Sequence, residues 1–131
     1  MVTIDTHVLV WLALAPNRLS QAAEQAVAQA NHTDGILLAS ISLWEVAMLV
    51  QKGRIQINTD TESFLQLALQ AFSIKVRPIT PQIATLAVQF ASSVNQDPAD
   101  RLIVATAAVE NIPLVTADHN LQAASIVPTI W

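Results

Sequence analysis

The chain has 131 residues, of which 53% are hydrophobic and only 12% charged, with a net charge of −4. Such a composition is far from that of a disordered chain and suits one domain with a sizeable core, here 1–131. The absence of cysteine excludes disulfides, thiol nucleophiles and cysteine-held zinc, and the acidic balance argues against a nucleic-acid binder that works by bulk positive charge.

"MVTID" reads as a short strand ending on Asp5, and "HVLVWLAL" as an apolar helix closed by "APN". The run "VLVWLALAP" is about half the roughly 20 residues that span a bilayer. Asp5 and His7 precede it where a secretory leader would be positively charged. The expectation is a cytoplasmic protein that does not enter a membrane. "LSQAAEQAVAQAN" is rich in helix formers, with Ser20 placed as its cap. "DGILLAS" predicts a turn and then a buried strand.

"SLWEVAMLVQKG" predicts a helix stopped by Gly53, and "DTESFLQLALQAF" one capped by Asp60 or Thr61. "IKVRPI" alternates like a strand. "TPQIATLAVQFASSV" predicts a helix begun by Thr80 and Pro81, and "DPADRLIVATAAVEN" repeats that design with Asp97 and Pro98. "IPLVTAD" reads as a buried strand and "SIVPTIW" as a last edge strand. No repeat, linker or low-complexity tract interrupts the series. Strands alternating with helices imply an α/β fold, a three-layer α/β/α sandwich around a mainly parallel sheet.

In such sheets ligands gather beyond the carboxyl ends of the strands, where strand order reverses. Five of the ten carboxylates map to that edge: Asp5 after the first strand, Glu45 in the first turn of the helix after the second strand, Asp97 and Asp100 at the start of the helix before "IPLVT", and Asp118 just after that strand. Gathered acids repel one another and lose hydration, so a shared proton or a cation is expected with them. An all-oxygen set selects Mg²⁺ or Mn²⁺ over zinc.

Each acid also has a purely structural reading. Ser42 and Glu45 have the spacing of a capping box. Asp97 before Pro98 makes a good helix cap, and Asp100 one turn in suits the helix dipole. Asp118 fits a turn in "ADHN". Asp5 is the hardest to explain structurally, and all these readings holding together at one edge is the weaker account. The apolar excess points to a greasy interface, with Trp11, Trp44 and Met48 as candidates, although Trp44 reads better as core.

"IDTHVLVWL", "ASISLWEVAMLVQKGRI", "DPADRLIVATA" and "IPLVTADHNL", in that order and spacing, resemble a PIN domain, and most of all the VapC-type toxins of toxin–antitoxin pairs. The resemblance covers nearly the whole chain. It implies an Mg²⁺- or Mn²⁺-dependent endoribonuclease with an RNA substrate, a homodimer, and silencing by a cognate antitoxin protein. The family's four acids map onto Asp5, Glu45, Asp100 and Asp118, and its hydroxyl beside the last acid onto Thr116. His7 stands where many members carry Asn, and "VNQ" replaces the His and basic residues that often precede "DP".

The expected chemistry is in-line attack of a metal-activated water on phosphorus, releasing a 3′ oxygen. Asp5 and Asp100 hold the metal, Glu45 and Asp118 complete its surroundings, and Glu45 is placed to take the proton. Ser42 and Thr116 orient ligands from behind, Asp97 caps and aims Asp100, and Arg101 pairs with a carboxylate in preference to holding phosphate. The alternatives are an inactive PIN-like binding module and a phospho-acceptor receiver-like domain. The second would want an acid pair after the first strand, where Asp5 stands alone.

Overall fold

A computed structural model describes residues 1–131. Its strands are β1 (Val2–Ile4), β2 (Ile36–Ala39), β3 (Ile74–Arg77), β4 (Leu114–Val115) and β5 (Thr129–Ile130), and its helices α1 (Thr6–Leu14), α2 (Gln21–His32), α3 (Ile41–Gln51), α4 (Thr61–Ala71), α5 (Pro81–Gln89), α6 (Pro98–Glu110) and α7 (His119–Ala124). The five strands form one sheet in the order β3-β2-β1-β4-β5, and every pairing is parallel. Parallel strands need crossovers, and the helices supply them. No helix is long and apolar enough to cross a membrane.

Strand alternation divides the core between the two faces of the sheet. Ile4, Ile36, Leu38 and Val115 face a cluster completed by Val8 and Leu9 of α1, Val27 of α2 and Val46 of α3. Ala39 and Leu114 face the opposite way, onto Ile103 and Val104 of α6 and Leu121 of α7. Helix α5 joins the second layer by setting Ile83 and Ala87 against Ala105. This is the three-layer sandwich expected from the alternation, with a wholly parallel sheet.

The expected helix boundaries need three corrections. Helix α5 ends at Gln89, short of the "FASSV" expected within it. Residues 119–124, where only "ADHN" was read and as a turn, form α7, because the Asp118 carboxylate accepts the N–H groups of Asn120 and Leu121 and caps a short helix. Helix α3 begins at Ile41, with Ser40 as a cap that makes no side-chain bond, so Ser42 lies inside the helix and Glu45 in its second turn, and no capping box forms. The other caps fall as read: Ser20, Asp60, Thr80 and Asp97 each accept a helical N–H.

Candidate active site

Sheet order decides where the site lies. From β1 the chain first moves outward on one side to β2 and β3, then returns to the other side as β4 and β5. The crevice at such a switch point opens beyond the carboxyl ends of β1 and β4. In the register Thr3↔Leu114 and Ile4↔Val115, the next residues, Asp5 and Thr116, come side by side. The Asp5 N–H continues the ladder to the Val115 carbonyl at 3.3 Å.

Here a cavity of about 340 Å³ is lined by Asp5, Glu45, Asp97, Asp100 and Asp118, together with Thr6, His7, Trp11 and Ala117. All five acids expected at this edge therefore meet in one pocket. Each is held by a specific donor. Asp5 is only 8% exposed; one of its oxygens accepts the Val8 N–H at 2.9 Å and the other a short bond from the Thr116 hydroxyl. Thr116 in turn accepts the Asp118 N–H at 3.1 Å, so one buried threonine links two acids. Glu45 accepts from the Thr6 hydroxyl. Because Thr6 has one proton to give, the Ser42 hydroxyl, 2.9 Å behind it, is left to donate to Thr6. Asp100 accepts from the Asn95 side-chain amide at 2.6 Å, and Asp97 from the Ala99 N–H at 2.9 Å.

The electrostatics show the strain of this gathering. Burial, followed by repulsion from Asp97, Asp118, Glu45 and Asp5, pushes Asp100 up to about 7. Burial also raises Asp5, partly offset by the Thr116 bond, and raises Glu45, partly offset by Thr6. A cation among these oxygens would reverse all three effects, because the donors are hard oxygens and their excess charge is negative. No three of the acid or imidazole groups stand close enough to make a ready coordination shell; the acids line the walls of the pocket instead of meeting at a point. Their chemistry fits a divalent cation all the same.

Arg101 corrects an expectation. It meets no carboxylate and no open pocket. Its Nε donates to the Asn95 carbonyl, one terminal nitrogen to Ala87 and Phe90, and the other to Ala91 and Val94, all at 3.0–3.3 Å. These carbonyls belong to the end of α5 and the chain that follows it, so Arg101 closes that helix and shapes the loop that brings Asn95 to Asp100. Trp44, read as core, is 59% exposed. Sequence reading missed Thr6 and Asn95. Thr6 was visible only as the neighbour of Asp5 in "IDTH", and Asn95 lay in the "VNQ" segment judged only by the residues it lacks.

Sheet and pocket together define a class: a doubly wound parallel α/β domain with a pocket of five carboxylates at its switch point. The PIN domain pattern matches residues 2–127, and the chain belongs to that family. It is 41% identical over 121 residues to Ribonuclease VapC22 of Mycobacterium tuberculosis (strain ATCC 25618 / H37Rv), an alignment covering 92% of this chain and 89% of that protein. Its fold is shared with the crystal structure of VapBC2 from Rickettsia felis bound to a promoter DNA fragment, at a TM-score of 0.75 and 16% identity over 98% of this chain and 97% of the other. A toxin–antitoxin complex from Klebsiella pneumoniae superposes with a TM-score of 0.67 at 20% identity, over 97% and 95% of the two chains.

Proposed function

We propose that this chain is a divalent-metal-dependent endoribonuclease and the toxin of a toxin–antitoxin pair. The observation that carries the reading is the convergence of Asp5, Glu45, Asp97, Asp100 and Asp118 on one pocket in a PIN-family chain whose 41% identical relative is a ribonuclease. It works as one domain spanning 1–131, in the cytoplasm, on an RNA substrate, as a homodimer bound by its cognate antitoxin.

Asp5, Asp100, Asp118 and Glu45 are the residues that would hold Mg²⁺ or Mn²⁺. When bound, the ion acidifies water and offsets the charge that builds on the reacting phosphate. The chain's own residues prepare for this. Asp118 spends one oxygen on two helix N–H groups, leaving the other free, and Asp100 likewise keeps the oxygen that Asn95 does not use. Thr116 and the Val8 N–H fix both oxygens of Asp5, each with a lone pair to spare. Thr6 engages one oxygen of Glu45, so the other can accept the proton of the attacking water, a task its raised pKa suits.

Purified protein is expected to cut a mixed RNA pool in Mn²⁺ or Mg²⁺ and to stop when EDTA is added. Cutting that survives EDTA would reject the metal site, and a protein that never cuts would reject the enzyme. The homodimer rests on exposed apolar side chains, with Trp44 at 59%, Leu67 at 61% and Val88 at 78%. Light scattering after size exclusion should report a dimer at micromolar concentration; a clean monomer would remove that part of the proposal.

A further inference from the structure

A second cavity, of about 620 Å³, shares His7 and Trp11 with the acid pocket, so the two lie side by side. Leu14 and Ile55 give it an apolar wall, and Arg18 and Arg54 stand on its lining. The chain has only six basic side chains. Arg101 is consumed by carbonyls, and Arg77 pairs with Glu110 at 2.9 Å. Arg18 and Arg54 form no ion pair, are exposed, and share this one groove. The Arg18 guanidinium lies 4.9 Å from the centre of the Trp11 ring, which leaves its N–H groups free to donate.

A polyanion whose reacting phosphate approaches five carboxylates needs cations for the phosphates that flank it. It also needs an apolar surface for the bases that lie beside them. This groove offers both and adjoins the acid pocket at His7 and Trp11. Resting on the ribonuclease reading above, we propose that the groove between α1 and the segment after α3 carries single-stranded RNA away from the scissile phosphate, with Arg18 and Arg54 gripping its phosphates and the Trp11 side taking a base. The arginines grip by charge-assisted bonds to phosphate oxygens and read no sequence. Affinity should therefore depend on strand and salt more than on base identity.

The test is fluorescence anisotropy of a labelled short poly(U) RNA with the full chain, in Ca²⁺ to hold turnover down. Arg18→Ala/Arg54→Ala is compared with wild type across a salt series. Both arginines are exposed, so equal thermal melts are expected. The double variant should bind about tenfold or more weakly, and its log–log salt slope should be shallower by about 1.4, from two lost phosphate contacts at about 0.7 each. Unchanged affinity and slope would overturn the inference. So would wild type binding a polyglutamate peptide as tightly as the RNA, with both lost together in the variant, since the groove would then serve an acidic protein segment. Wild-type cleavage in Mn²⁺, read alongside, separates the two ideas. Cutting with arginine-independent binding removes the groove and keeps the enzyme; arginine-dependent binding without cutting does the reverse.

Discussion

Asp100→Asn should abolish metal-dependent RNA cleavage, by at least about 100-fold, and should also raise the melting temperature of the metal-free protein. Folded Asp100 holds its proton up to about 7, against 3.8 for the ordinary side chain. The folded state therefore binds more protons than the unfolded chain across that interval. Stability is full below about 4, falls as pH rises toward 7, and is flat above it. Asn carries no charge and removes this fall. Asp100 is only about half buried, so solvent screens much of the effect, and a rise of about 4 °C at pH 7.5 in EDTA, corresponding to about 1 kcal/mol, is expected for a domain of this size.

Adding Mg²⁺ should then raise the melting temperature of wild type and leave the variant nearly unmoved. Asp97→Asn should behave differently. Asn caps a helix as well as Asp does, so α6 keeps its start, while the largest repulsion on Asp100 disappears. Cleavage should be largely retained, with Asp100 ionising at lower pH. Melting curves from pH 4 to 8 in EDTA and in Mg²⁺ check the stability claims. An Asp100→Asn protein that melts below wild type at pH 7.5 without metal would show that repulsion does not dominate this pocket.

Arg101→Ala should be the most damaging single change outside the core, at about 3 kcal/mol, or a loss of ~10 °C. Five carbonyls, on Ala87, Phe90, Ala91, Val94 and Asn95, lose the guanidinium at once; only Ala91 keeps the Val94 N–H as a backbone donor from the loop, and four of the five are partly buried. Lysine should rescue little, because one ammonium cannot reproduce the planar fork that spans three directions. Cleavage should fall with stability, since Asn95 leaves its place on Asp100 when the loop loosens. A thermal melt of Arg101→Ala and Arg101→Lys decides the matter; a shift under about 2 °C for alanine would mean that water replaces the guanidinium without loss.

The different outcomes for Arg101 and Asp5 show what one-dimensional reading reaches. Asp5 was legible because a carboxylate between a β run and an apolar helix stands out in the sequence, although the structure also gives it the task of capping α1 through the Val8 N–H. Its convergence with Glu45, Asp97, Asp100 and Asp118 was legible because parallel topology sends every strand end and every crossover-helix start to one edge. Arg101 was misread because a charge beside charges suggests pairing, whereas its true partners are backbone carbonyls that carry no signature in the sequence. They became available only because α5 stops at Gln89. Helix α7 escaped for the reverse reason: six residues carry too little periodicity to register, and it exists through its Asp118 cap and the burial of Leu121.

By itself, then, the sequence determined the alternation of strands and helices, the caps at Ser20, Thr80 and Asp97, and the edge at which the acids collect. These follow from local propensity and from a rule of handedness that holds for any parallel sheet. Tertiary structure alone decided which donor holds each acid: Thr116 for Asp5, Thr6 for Glu45 and Asn95 for Asp100. Strand register sets the first of these pairings, and the packing of α3 and α6 against their neighbours sets the others. A hydroxyl or an amide gives no sign in sequence of the group it will face, because that choice is made by residues up to 111 positions away.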